Sequence, residues 1–222
     1  MKKYLPLIIY LLLLLSSPVS AFTDDEERWL NSENDTDHSQ VNEGILEFIN
    51  HSLKPSVLHT VNRLKISPSS IDNGWVYMEQ CYRHIDKLPE LDIIFQYRHI
   101  NNLSVLSKQN IESVRINKQR ITLTNVGHNS ELCVSANVRI FYQNLDLSFS
   151  LINGPYHRRF LDGYYPFRVS LSVAYPETLL LVKKIIPEKQ LGFSVNHAAG
   201  TIAIDTLFKG ILKTEIIFEL LK

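Results

Sequence analysis

A chain of 222 residues with 23 acidic and 23 basic side chains is formally neutral, so it lacks the basic excess that holds nucleic acid. Its 45% hydrophobic content exceeds that of a disordered chain and suffices for a sizeable core. Two cysteines without a CxxC spacing exclude a disulfide-dense scaffold and a zinc ribbon.

Residues 1–21 have the three parts of a secretory signal. Lys2 and Lys3 supply the positive start, Leu5 to Leu15 an apolar run, and Val19-Ser20-Ala21 the small residues of a cleavage site. Cleavage is expected after Ala21, and the absence of a Cys after the run argues against a lipid anchor. The expected location is the periplasm, with the extracellular space second. No later apolar run approaches the ~18–20 residues of a membrane span, so the mature chain is expected to have no transmembrane segment.

Residues 22–40 hold seven acids against the single base Arg28 and read as a disordered acidic leader. Residues 41–55 change period. Val41, Ile45, Phe48, Ile49 and Leu53 recur at helical spacing, and Pro55 ends the run. That spacing predicts one short amphipathic helix.

From residue 56 to 222 the pattern is β. Expected strands are Val57–Ile66, Trp75–Tyr82, Leu91–His99, Ile111–Ile116 and Arg120–Val126, with a tight turn at Asn117-Lys118. In Glu131–Tyr142, Leu132, Val134, Ala136, Val138 and Ile140 share a face and Cys133 points to the other. Leu145, Leu147, Phe149 and Leu151 alternate with polar residues, as do Phe167, Val169, Leu171, Val173 and Tyr175. Residues 177–186 fit a helix or a strand equally, being too short for periodicity to decide. Gly192–Asn196, Thr201–Thr206 and Ile211–Leu220 close the chain as strands. About ten short strands with frequent turn signals predict an all-β, antiparallel β-sandwich, immunoglobulin-like at most in architecture, with a sub-boundary near residue 143.

In an oxidising compartment an even cysteine count favours a Cys81–Cys133 bridge, the other reading being two separate buried thiols. Glu79, Cys81, Tyr82, His84 and Asp86 gather polar groups at one strand end, where a Cys–His pair is conceivable but ill suited to that compartment.

The stretch 153–166 joins the two best-patterned strands with far more residues than a hairpin uses. It carries Tyr156, His157, Arg158, Arg159, Asp162, Tyr164 and Tyr165. Adjacent guanidiniums among aromatic rings suit an anionic or sugar-like ligand, since Arg forks onto anions and rings stack on flat faces. The structural alternative is an Arg158 or Arg159 pair with Asp162 and aromatics capping the core. No GxSxG, HExxH or P-loop is present, and the eight histidines are scattered, so no catalytic residue, metal ligand or cofactor is assigned. The sequence therefore reads as an exported, non-catalytic binding protein whose partner is an envelope protein or an anionic or carbohydrate ligand. The alternative is a periplasmic hydrolase using the same loop.

Overall fold

The computed structural model describes residues 42–51 and 57–221. The signal segment 1–21 and the acidic leader 22–40 lie outside these residues. Residues 41–222 belong to one compact unit.

Fifteen strands and a single helical turn make up the described chain. They are β1 (Glu47–Ile49), β2 (His59–Lys65), α1 (Ser70–Asn73), β3 (Trp75–Ile85), β4 (Leu88–Ile94), β5 (Ile100–Asn117), β6 (Arg120–Arg139) and β7 (Phe141–Gln143), followed by β8 (Phe149–Tyr156), β9 (Arg158–Phe160), β10 (Gly163–Tyr165), β11 (Phe167–Ala174), β12 (Leu180–Ile186), β13 (Phe193–Ala198), β14 (Thr201–Lys209) and β15 (Leu212–Leu220). The all-β sandwich expectation holds.

The larger sheet has nine strands along the path β1-β14-β11-β2-β3-β6-β4, with β13 beside β14 and β5 beside β6. All its pairings are antiparallel except β2 with β11. The long β6 organises one end. Its C-terminal half pairs with β3, its N-terminal half with β4, and β5 runs along its length. The smaller sheet is β12-β15-β8-β7, and β9 and β10 form a separate hairpin. The chain passes from the larger sheet to the smaller between β6 and β7.

Alternation places the core. Val169, Leu171 and Val173 of β11 are at most 2% exposed, and Leu132, Val134, Ala136 and Val138 of β6 at most 1%. They meet Phe149, Leu151, Ile216 and Phe218 of the smaller sheet in one hydrophobic cluster. Cys81 and Cys133 sit directly opposite each other on β3 and β6, on the outer face, and are joined in a disulfide across 52 residues.

Several expectations change. The helix over 41–55 is not formed within the described residues: Glu47–Ile49 is a strand on β14, with Phe48 opposite Phe208. Asn42 explains part of this. Its side chain accepts from Gly44 N–H at 2.8 Å and donates to Ile45 O at 2.8 Å, a local turn that competes with helix. Phe48 then packs on Phe193, ring centroids 5.2 Å apart. Leu145 and Leu147 do not share a strand face with Phe149. They are 106% and 70% exposed in the turn before β8, because Asn144 binds Ser148 O and the Ser148 and Ser150 hydroxyls. Residues 177–186 resolve to strand β12 after a turn at Pro176. The predicted Leu91–His99 strand ends at Ile94. Ile111–Ile116 is part of the 18-residue β5, and the turn that follows is Lys118-Gln119.

Candidate functional site

The stretch 153–166 is not an open loop. β8 continues to Tyr156, and β9 and β10 fold into a short hairpin with Arg158 opposite Tyr165 and Arg159 opposite Tyr164. Leu161-Asp162 turns the hairpin, whereas Gly154-Pro155 lies within β8 rather than in a turn. Opposite it, Tyr156 pairs with Leu212 and Asn153 with Thr214, so β8 bulges by one residue at Gly154-Pro155. Gly154 has φ +101°, and a Cβ there would meet Leu212 O at 2.8 Å. A glycine is required for this close approach, and the bulge re-aims the chain into the hairpin.

Arg158 does not pair with Asp162. Its guanidinium forks onto Asp86 at the end of β3, with Nη2 at 2.7 and 2.8 Å from the two carboxylate oxygens and Nε at 3.1 Å. The Phe160 and Tyr165 rings lie against it, 5.3 and 5.7 Å from the guanidinium carbon. Asp162 instead accepts from the Tyr165 hydroxyl, a bond that raises the Tyr165 pKa. Arg159 is exposed and stacks over Tyr164 at 5.5 Å. Tyr164 also meets His157 edge-on, and its backbone N–H donates to Asn42 O at 3.0 Å. His157 is half-buried, and its Nδ1 has no partner among the described residues. Burial, then Arg159, lowers its pKa, so the ring is neutral at pH 7.

Tyr156 leaves the surface altogether. Its hydroxyl accepts from Asn62 Nδ2 at 2.5 Å and Asn153 Nδ2 at 2.7 Å, while Tyr97 donates to Asn153 Oδ1 at 2.9 Å. Burial raises the Tyr156 pKa to about 12 and holds that of Tyr97 well above its ordinary value. This polar knot joins the two sheets inside the core.

Beside the hairpin is a cleft of about 300 Å³, walled by β8–β9 on one side and by β4 with the Phe95–Tyr97 segment on the other. Tyr156, His157, Arg158 and Arg159 line it, whereas Asp162, Tyr164 and Tyr165 do not. The sequence reading omitted Gln80, Phe95 and Tyr97, and did not connect Asp86 to the hairpin; all four line the cleft. Gln119 fixes the second wall. Its backbone oxygen accepts from Phe95 N–H at 2.9 Å, and its side chain donates to Tyr97 O at 2.7 Å. Phe95 and Tyr97 stack with ring centroids 6.2 Å apart. Gln80, 4% exposed, donates from Nε2 to the Tyr82 hydroxyl at 2.6 Å. Its Oε1 has no partner among the described residues. The overlooked signal was phase: Asn62 and Gln80 stand opposite each other at core-facing positions, Gln80 between Met78 and Tyr82 and Asn62 between Thr60 and Leu64.

Catalytic geometry is poor. Cys81 is held in the disulfide, which removes the Cys–His pairing. Asp92, the second carboxylate on the cleft, is held by Arg120 at 2.8 Å and Thr122 at 2.7 Å. A His–Ser–Asp chain does exist elsewhere: His59 Nε2 lies 2.8 Å from Ser170 Oγ, which donates to Asp205 at 2.6 Å. Its order is wrong for a nucleophile, because the serine proton points to the carboxylate rather than to the imidazole. Among the described residues no group of three or more His, Cys, Asp or Glu is placed to hold a metal ion, and no helix is long and apolar enough to cross a membrane.

No protein-family model matches the chain, and no curated protein matches it in sequence. Among solved structures, it is similar to an M1 zinc metallopeptidase from Deinococcus radiodurans, with TM-score 0.37 and 13% identity over 81% of this chain and 43% of that one. A point mutant of an M1 zinc metallopeptidase from the same organism, bound to a Tyr-Ser-Ala substrate, gives TM-score 0.40 and 11% identity over 74% of this chain and 42% of that one. The chain spans less than half the length of either. Superpositions this loose assign neither a fold family nor an activity.

Proposed function

We propose that this chain is an exported, non-catalytic β-sandwich that binds a small anionic or carbohydrate ligand in the cell envelope, in the cleft beside the β9–β10 hairpin. The observation that carries the reading is the cleft itself: about 300 Å³, lined by aromatic residues, the buried Gln80 amide and the ion-paired Arg158 and Asp86. Apolar walls with a few placed polar groups are the usual build of a ligand site. The signal-like residues 1–21 support export, and the Cys81–Cys133 disulfide is compatible with it.

The choice of binding over hydrolysis rests on the carboxylates. A general acid or base has to be free to exchange its proton with substrate. Asp86 is gripped by Arg158, and Asp92 by Arg120 and Thr122. His157 is the imidazole on the cleft, with no nucleophile paired to it among the described residues.

A thermal-shift screen of the mature protein against saccharides and small anions tests the reading. Ligand at about 100 times its Kd stabilises by about 2.7 kcal/mol, a shift of a few degrees. Ile94, 56% exposed on the cleft rim, gives the control. An Ile94→Trp variant should melt like the native protein and lose the shift. A screen with no hit, or hits that stabilise both proteins alike, would refute the proposal.

A further inference from the structure

Accepting the cleft as the binding site, we infer that its ligand is an uncharged, hydroxyl-bearing ring, of the monosaccharide class, seated between the Phe95–Tyr97 wall and β8–β9 with one hydroxyl on Gln80.

The floor selects a hydroxyl. Gln80 is buried and lines the cleft, and one end of its amide is taken by Tyr82. Whichever way the amide is turned, its other end is buried and has no partner among the described residues. A buried amide without its second partner carries a desolvation penalty that a ligand can relieve. An alcohol both donates and accepts, so it satisfies that end in either orientation. A carboxylate or phosphate only accepts, so it serves one orientation and is repelled in the other.

The charge balance points the same way. Two acids and two arginines line the cleft: Asp86, Asp92, Arg158 and Arg159. Arg158 is committed in a fork to Asp86, and Arg159 is exposed and stacked over Tyr164. An anion drawn to the buried Gln80 amide would be desolvated, which is costly, and Arg158 is already committed to Asp86. Phe95 and Tyr97, 5% and 8% exposed, line one wall as a stacked pair, and the part of the pair that reaches the cleft is apolar surface that the apolar face of a sugar ring can meet. About 300 Å³ is at the small end of ligand pockets, about 300–1,000 Å³, and fits one or two rings.

Matched pairs separate this inference from the reading beneath it. The mature protein is titrated, with saturation-transfer NMR as readout, against glucose and glucuronate, galactose and galacturonate, and N-acetylglucosamine. Neutral members should bind about tenfold or more tightly than their uronates, and sugar C–H protons should show contacts to the Phe95 and Tyr97 rings. Gln80→Leu should weaken neutral binding about tenfold, the value of one hydrogen bond. If Gln80→Leu does not fold, the ring contacts in the native protein decide. Uronates that bind as well as or better than neutral sugars, with Ile94→Trp abolishing both, would overturn the neutral ligand and leave the cleft standing. No binding by any member, or neutral binding that survives Ile94→Trp, would overturn both.

Discussion

Arg158 and Asp86, 72 residues apart in sequence, are locked by three hydrogen bonds of 2.7 to 3.1 Å, and this fork holds the β9–β10 hairpin against the end of β3. The side chains are 17% and 33% exposed, so the pair lies between a surface bridge and a buried one. Exposed bridges are worth about 0–1 kcal/mol, and breaking buried ones costs about 3–5. A double-mutant cycle with Arg158→Ala and Asp86→Ala in urea should return a coupling of about 1–2 kcal/mol. Arg159→Ala, which removes only an exposed stack, should stay within about 0.5 kcal/mol of the native protein. Zero coupling would show that the hairpin is not pinned there.

Tyr156→Phe keeps the ring and removes the acceptor shared by Asn62 and Asn153. Two buried amides then lose a partner. Urea unfolding should show a loss of about 1–3 kcal/mol. An unchanged midpoint would mean that water or a rearranged network replaces the hydroxyl.

Peptide mapping without reductant should recover Cys81 and Cys133 in one linked species. Closing 52 residues is worth about 4 kcal/mol in the chain-entropy account. The Cys81→Ala, Cys133→Ala double variant should therefore melt clearly lower. Two free thiols in protein purified without reductant would remove the disulfide and, with it, one support for export.

What could be read from the sequence depended on how each residue is buried. The strand over 167–174 was plain because Phe167, Val169, Leu171 and Val173 face the core while Arg168, Ser170 and Ser172 face outward. The Cys pair followed from count and compartment. β5 was read only in part because it is an edge strand exposed on both faces. Asn101, Asn102, Ser104, Lys108 and Asn110 all face water, so no alternation survives. Its irregularities are nonetheless written in asparagines: Asn102 and Asn110 take φ of 53° and 55° at two of its register shifts. The segment 41–55 misled because apolar residues at helical spacing also fit a short edge strand that half-buries Phe48 and leaves the preceding Ile45 78% exposed. At the site, the sequence marked the hairpin side of the cleft and missed the other wall. Gln80, Phe95 and Tyr97 belong to distant strands and loops whose meeting depends on β6 pairing with both β3 and β4.

His59 sets an acid dependence of stability. Burial, then the Arg168 charge, lowers its pKa from 6.5 to about 4; Arg83 and His84 act in the same direction and Asp205 opposes them. Between those values the unfolded chain binds a proton that the folded chain refuses. Stability should therefore fall as pH drops from about 6.5 to 4 and level off below. Discounted for a half-exposed ring, the His59 share is about 1–2 kcal/mol. His59→Gln, which can still donate to Ser170, should flatten the pH profile of urea midpoints across that window. A profile of unchanged slope would contradict this role.

The central claim is that ligand binds in the cleft between the hairpin and the Phe95–Tyr97 wall. Its most direct measurement is the Kd of the best ligand from the saccharide and anion screen against three proteins: native, Ile94→Trp at the cleft rim, and Leu181→Trp on β12, where Leu181 is 54% exposed and away from the cleft lining. The account predicts equal affinity for the native protein and Leu181→Trp and loss of binding in Ile94→Trp alone. Equal affinity in all three, or loss only in Leu181→Trp, would contradict it.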